Sequence, residues 1–200
     1  MKTIGIDIND VIRDNIAQIV GVYKKFIDTN SNVKNEDMTS FEYSEVLEFE
    51  TNKDYNDFRY IDYAYELYGR AEAVDKMLPY RLNDWLQNTL RDLDEENIPH
   101  VLYFSPFEMG LTIQATMAFL SKISTRVREI DFPIDSYKMW EKCDIIITAN
   151  PNLIESCPEG KTAIKIERPY NTETECEYTF DSLMSLINDK NETIIKLLEN

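Results

Sequence analysis

Apolar positions alternate at the start of the chain. Ile4, Ile6 and Ile8 are separated by small or polar residues, and Val11, Ile12, Ile16, Ile19 and Val20 then recur at helical spacing. A period of two giving way to a period near 3.6 predicts strand, turn and helix in succession. The polar cluster at the junction holds Asp7, Asn9 and Asp10. Short side chains of this kind solvate a turn or start a helix. At the carboxyl end of a strand in an open α/β sheet, they also stand where ligands are bound.

Helical spacing continues through Tyr23, Phe26 and Ile27, followed by a polar loop over 28–40 and a short apolar-acidic segment over 41–49. Residues 55–73 carry Phe58, Ile61, Tyr65 and Tyr68 at spacings of three and four, which predicts a helix with an aromatic face for a core or a partner. Leu82, Trp85, Leu86, Leu90 and Leu93 predict an amphipathic helix, and the apolar run 100–104 a strand ending at Ser105. Beyond it the pattern predicts a helix over 111–122, a strand over 126–130 and a short helix over 134–142. A buried strand over 143–148 ends at Thr148, a loop and short helix carry Pro151 and Pro158, a strand occupies 163–167, and a helix over 180–198 closes the chain.

This order predicts an α/β fold: a Rossmann-like, doubly wound, mainly parallel sheet with a small helical cap inserted after the first strand. The core is assigned to 1–16 and 79–200, and the cap to 17–78.

Two hundred residues suit one domain with an insertion, and 43% hydrophobic and 12% aromatic residues mark a folded chain. The formal charge of -16 comes from 37 acidic against 21 basic residues without a basic cluster, which argues against nucleic-acid or anionic-membrane binding. Protein partners or a small ligand are the expected company. Cys143, Cys157 and Cys176 lack metal-ligand spacing and His100 is the single histidine, so no zinc site is expected and the thiols read as reduced, in an intracellular setting. His100 itself is expected to be structural or exposed. The sequence shows neither a signal-peptide pattern nor a membrane helix.

The segments DINDVIRD, VLYFSPFEM, SYKMWEKCDIIITANP and EGKTAIKIERPYN, in this order, resemble the haloacid dehalogenase (HAD) superfamily, and within it the deoxyribonucleotidase-like branch. The resemblance covers essentially the whole chain. It implies a HAD-like fold with Asp7 at the nucleophile position, Asn9 at the acid/base position, Ser105 as phosphate-binding hydroxyl and Lys138 as the lysine that meets phosphate. Family magnesium is held by the nucleophile carboxylate, a backbone carbonyl two residues later and an aspartate after the fourth strand.

The departures weigh as much as the matches. Asn9 replaces the acid/base aspartate, and a carboxamide has no proton to exchange near neutral pH. Losing a general acid/base costs on the order of a hundred- to ten-thousand-fold in rate. Thr148 and Ala149 stand where the distal aspartates belong, which leaves Asp7, with Asp10 as a neighbouring carboxylate, for a weak or absent metal site.

The expected function is therefore a catalytically degenerate HAD-like protein with a binding or assembly role and no resident cofactor. The alternative is a magnesium-dependent phosphatase or 5'-nucleotidase acting on nucleotides or a small phosphate ester through Asp7. ATMAFLSK, MWEKCDIIITANP and RPYN also resemble proteins of crAss-like tailed phages, which implies a virion component as one form of the assembly role.

Overall fold

The computed structural model describes residues 1–90, 93, 98–190 and 192–199. Five strands follow the expected order, and a sixth completes the sheet: β1 (Thr3–Asp7), β2 (His100–Phe104), β3 (Ile130–Asp131), β4 (Ile145–Thr148), β5 (Thr162–Ile166) and β6 (Tyr178–Phe180). They pair in parallel in the order β3-β2-β1-β4-β5-β6. β1 is central because the chain crosses to β2 on one side and later returns to β4 on the other. That reversal leaves a crevice beyond the carboxyl ends of β1 and β4, where open α/β sheets bind ligands. Asp7 and Thr148 are the last residues of these strands, and Ser105 immediately follows β2.

Side-chain alternation along the strands builds a core on each face. Ile4, Ile6, Ile145, Ile147, Ile164 and Ile166 join a cluster with α3 (Leu78–Asp84), α4 (Leu111–Lys122), α7 (Leu183–Ile187) and α8 (Thr193–Glu199). Leu102, Phe104, Ile146 and Ala163 meet Met139 and Trp140 of α5 (Met139–Lys142) and Leu153 and Ile154 of α6 (Pro151–Glu155) on the other face. Gly5 permits that second layer to close: a Cβ there would lie 2.8 Å from Cys143 Sγ.

A third cluster has its own aromatic centre. Ile16, Ile19, Val20 and Tyr23 of α1 (Asn15–Phe26) pack with Met38, Tyr43, Leu47, Tyr55, Phe58 and Tyr68. Phe49 meets Tyr23, Tyr55 and Phe58 with ring centroids 5.1–5.4 Å apart. The cluster touches the rest of the chain through Ala115 of α4 and Tyr170.

Several elements differ from the sequence pattern. Residues 55–73 do not form one α-helix: α2 (Asn52–Asp57) runs into π turns at Phe58–Asp62 and Tyr65–Gly69. The wider winding, with Tyr63 N–H donating to the Phe58 carbonyl five residues back, moves Ile61 and Tyr65 out of the buried face while Phe58 and Tyr68 stay in it. The strand expected at 126–130 pairs with β2 only at Ile130–Asp131. The helix expected at 180–198 is split, with β6 ending at Phe180 and α7 and α8 following separately. Of the helix expected from Leu82 to Leu93, α3 and a π turn at Trp85–Thr89 form the first part, and residues 91 and 92 lie outside the described residues. Among the described residues no helix is long and apolar enough to cross a membrane.

Candidate functional site

Asp7 reaches the crevice because β1 carries it there, paired with β2 along its whole length and with β4 over Ile4, Gly5 and Ile6. Only 2% of Asp7 is exposed. One carboxylate oxygen accepts the Asn9 backbone N–H at 3.0 Å and the other the Thr148 hydroxyl at 2.8 Å. Burial raises its pKa from 3.8 to about 7 against the opposing pull of these two bonds. At neutral pH the carboxyl is therefore divided between its two protonation states.

Asn9 and Ser105 stand together at the ends of neighbouring strands. The Asn9 amide nitrogen donates to Ser105 Oγ at 3.0 Å. Both, however, belong to a network built on a residue the sequence reading did not single out. Arg13 is fully buried, and its guanidinium donates to Asn9 Oδ1, to Glu108 Oε1 at 2.7 Å, to the Thr116 hydroxyl and to Asn15 Oδ1 at 2.8 Å. Ser105 in turn donates to Glu108 Oε1. The charge of this network is an internal Arg13–Glu108 ion pair. An arginine in an apolar helical stretch ordinarily reads as solvated, and the fold instead brings Glu108 to it from the loop after β2.

Asp10 has a φ of 56°, the left-handed conformation in which a side chain is strained. It is held there by three donors: the Ile16 backbone N–H at 3.1 Å, the Tyr43 hydroxyl at 2.7 Å and the Tyr170 hydroxyl at 2.9 Å. Burial raises its pKa, opposed by those donors and by Arg168. Lys138 is exposed on a 3-10 turn before α5, outside the lining of the crevice. Asp144 lies at the opposite end of the sheet, where its carboxylate accepts the Thr3 backbone N–H at 2.8 Å. His100 opens β2 and meets Glu129 at 2.8 Å on the surface.

The donor set does not fit a magnesium cage. Asp7 offers a carboxylate already engaged by Thr148, Asn9 offers a backbone carbonyl, and Thr148 and Ala149 add no anion. Among the described residues no group of three His, Cys, Asp or Glu side chains is arranged to hold a metal. Magnesium favours carboxylate oxygens in octahedral array, and the carboxylates of Asp7 and Asp10 are both taken up by donors of the protein itself.

Above Asp7 the crevice opens into a cavity of about 580 Å³. Its walls combine residues at and after the ends of β1, β2 and β4, among them Asp7, Phe107, Glu108 and Asn150, with the rings of Phe41, Tyr43 and Tyr60.

No protein-family model and no curated protein matches the chain. Solved structures do share its fold. A dehalogenase with an intermediate complex has a TM-score of 0.53 at 12% identity, covering 93% of this chain and 95% of that one. YfnB from Bacillus subtilis, described as a HAD-hydrolase bound to magnesium, has a TM-score of 0.53 at 14% identity, with 95% and 98% covered. The chain shares the fold of these two structures. Its six-stranded parallel sheet with flanking helices is the Rossmann-like form they share.

Proposed function

We infer that this chain is a HAD-like protein whose phosphoryl-transfer machinery has lapsed and whose fold serves binding. The observation that carries the reading is the Arg13 network. It consumes the Asn9 amide, the Ser105 hydroxyl and one oxygen of Glu108 within the protein, and so takes up groups that would otherwise meet phosphate. The acid/base position holds an amide and the metal position lacks its second carboxylate, so neither proton transfer nor charge neutralisation has a residue to perform it. What remains is a cavity walled by aromatic rings.

A titration of magnesium into the protein by calorimetry, with Asp7→Asn alongside, tests this. The reading expects no saturable binding at millimolar metal in either protein. Stoichiometric binding that disappears with Asp7→Asn would favour the second reading, a magnesium-dependent phosphatase or nucleotidase using Asp7, for which the retained carboxylate at the end of β1 speaks.

An assembly role, of which a virion component is one form, would use exposed apolar side chains such as Met109 and Ile134 of the cavity lining, 59% and 84% exposed. Sedimentation velocity of the purified protein tests it. Concentration-dependent association supports the role, and a strict monomer that captures no partner speaks against it.

A further inference from the structure

Away from the cavity, the edge of the sheet holds a pair of reactive side chains that the Arg13 network does not involve. Cys157 stands in the loop between α6 and β5, and Cys176 just before the edge strand β6. Both lie in irregular backbone, both are half-buried, and both thiols are free.

The sheet brings them to one residue. The Thr162 N–H at the start of β5 donates across to the Asp144 carbonyl at 2.9 Å, so the N–H and C=O of Ala163 point the other way, to the side where β6 lies. Cys176 Sγ is 3.4 Å from the Ala163 carbonyl oxygen and 3.4 Å from that of Tyr178. The Cys157 thiol takes a backbone hydrogen bond from Ala163 as well, and it lies near enough to Cys176 for each to bear on the other's charge. Both side chains pack on the apolar cluster that contains Ala163, Ile146 and Leu153. Two sulfurs are thus held at one point of the sheet edge by segments that can adjust.

The surroundings give the two thiols different parts. The nucleophile in thiol–disulfide exchange is a thiolate that can reach its reagent. Cys176 lines an open hollow on the surface, whereas burial pushes the Cys157 thiol up, so Cys176 meets the reagent first. Glu173, Glu175 and Glu177 line the same hollow, and their charge disfavours an anionic reagent. Cys143 is fully buried and its thiol is pushed up to about 12, which takes it out of the reaction.

We propose that Cys157 and Cys176 are an oxidisable dithiol, a modification site that closes to an intramolecular disulfide in exchange with an uncharged low-molecular-weight disulfide. The Cys176 thiolate attacks one sulfur of the reagent, whose S–S bond breaks and releases one half as a thiol. Cys157 gives up its proton and attacks Cys176 Sγ, which releases the second half as a thiol. Two protein thiols are oxidised by two electrons, the reagent is reduced to two thiols, and the two protons end on those products. The new bond staples the loop before β5 to the start of β6. The loop it closes contains Tyr170, whose hydroxyl holds Asp10 at the cavity.

The test treats the folded full chain with bis(2-hydroxyethyl) disulfide at about pH 8.5, where a free thiol is substantially ionised. Thiols counted after denaturation are expected to fall from three to one, and dithiothreitol to restore all three. Peptide mapping without reductant should join the Cys157 and Cys176 peptides. Cys143→Ala should react at the parent rate, and Cys157→Ser should stop at a mixed disulfide on Cys176. The oxidised chain should melt about 4–16 °C above the reduced one. A mixed disulfide that persists on the parent chain, or a bond that involves Cys143 or links two chains, overturns the proposal. An oxidised chain that melts at or below the reduced one overturns the staple.

Discussion

Replacing Arg13 by methionine removes the centre of the network while keeping most of the side chain's apolar volume. The change leaves the Glu108 carboxylate buried without its counter-charge and strips the Asn9 side-chain oxygen and the Thr116 hydroxyl of a donor. It also removes the guanidinium stacked 4.7 Å from the Tyr68 ring centroid. Breaking a buried pair by removing one partner costs about 3–5 kcal/mol. In a chain of this length each kcal/mol moves the melting temperature by about 2–4 °C, so the melt should fall by about 6–20 °C. Glu108→Gln keeps an acceptor but loses the charge, and should cost about 2–4 kcal/mol. The double variant should be destabilised by less than the sum, with a coupling of about 1–3 kcal/mol, because each single change already breaks the shared pair. Urea unfolding followed by circular dichroism gives all four corners of the cycle. Single losses under about 1 kcal/mol, or simple additivity, would refute the claim that the pair organises the site.

Three further outcomes follow from other parts of the structure. Asp7 has a folded pKa raised from 3.8 to about 7, so its contribution to stability is complete below pH 3.8 and is lost as pH rises through about 7. Asp7→Asn, which carries no such charge, should therefore gain on the parent by a few kcal/mol (order 1–4) between pH 4 and pH 8, and a stability difference independent of pH would contradict this. Tyr43→Phe and Tyr170→Phe each remove one phenol donor from Asp10 and should cost about 1.5–3 kcal/mol, read from urea unfolding; no loss in either would show that Asp10 is not held by these rings. Gly5→Ala forces a Cβ against Cys143 Sγ and should cost about 1–3 kcal/mol, whereas an unchanged melting temperature would mean that the layer yields freely.

The sheet was largely legible because β2 and β4 are nearly continuous apolar runs, as buried parallel strands are, and β1 alternates. Ile4, Ile6, Ile145, Ile146 and Ile147 declare themselves in this way. β6 did not, since it is a three-residue edge strand of half-exposed side chains. The edge strand β3 has two residues, too few for a period to register. The π turns at 58–62 and 65–69 were hidden for a related reason: local spacing presumes α-helical winding, and the buried set is chosen by the aromatic cluster.

At the site, Asp7, Asn9 and Asp10 could be read because they are consecutive at a strand end, and Ser105 because it ends another strand. Arg13, Glu108 and Tyr170 could not, because their roles depend on partners up to 160 residues away, as for Tyr170 and Asp10. Lys138 was placed by spacing to an adjacent strand, but its turn faces solvent.

On the proposed function, Asp7 drives no phosphoryl transfer. The most direct measurement is phosphate release from a generic phosphate ester and from a nucleoside monophosphate, with magnesium, by the parent chain and Asp7→Asn purified in parallel. Equal, background-level release from both is expected. Turnover by the parent chain that needs magnesium and disappears with Asp7→Asn would contradict it.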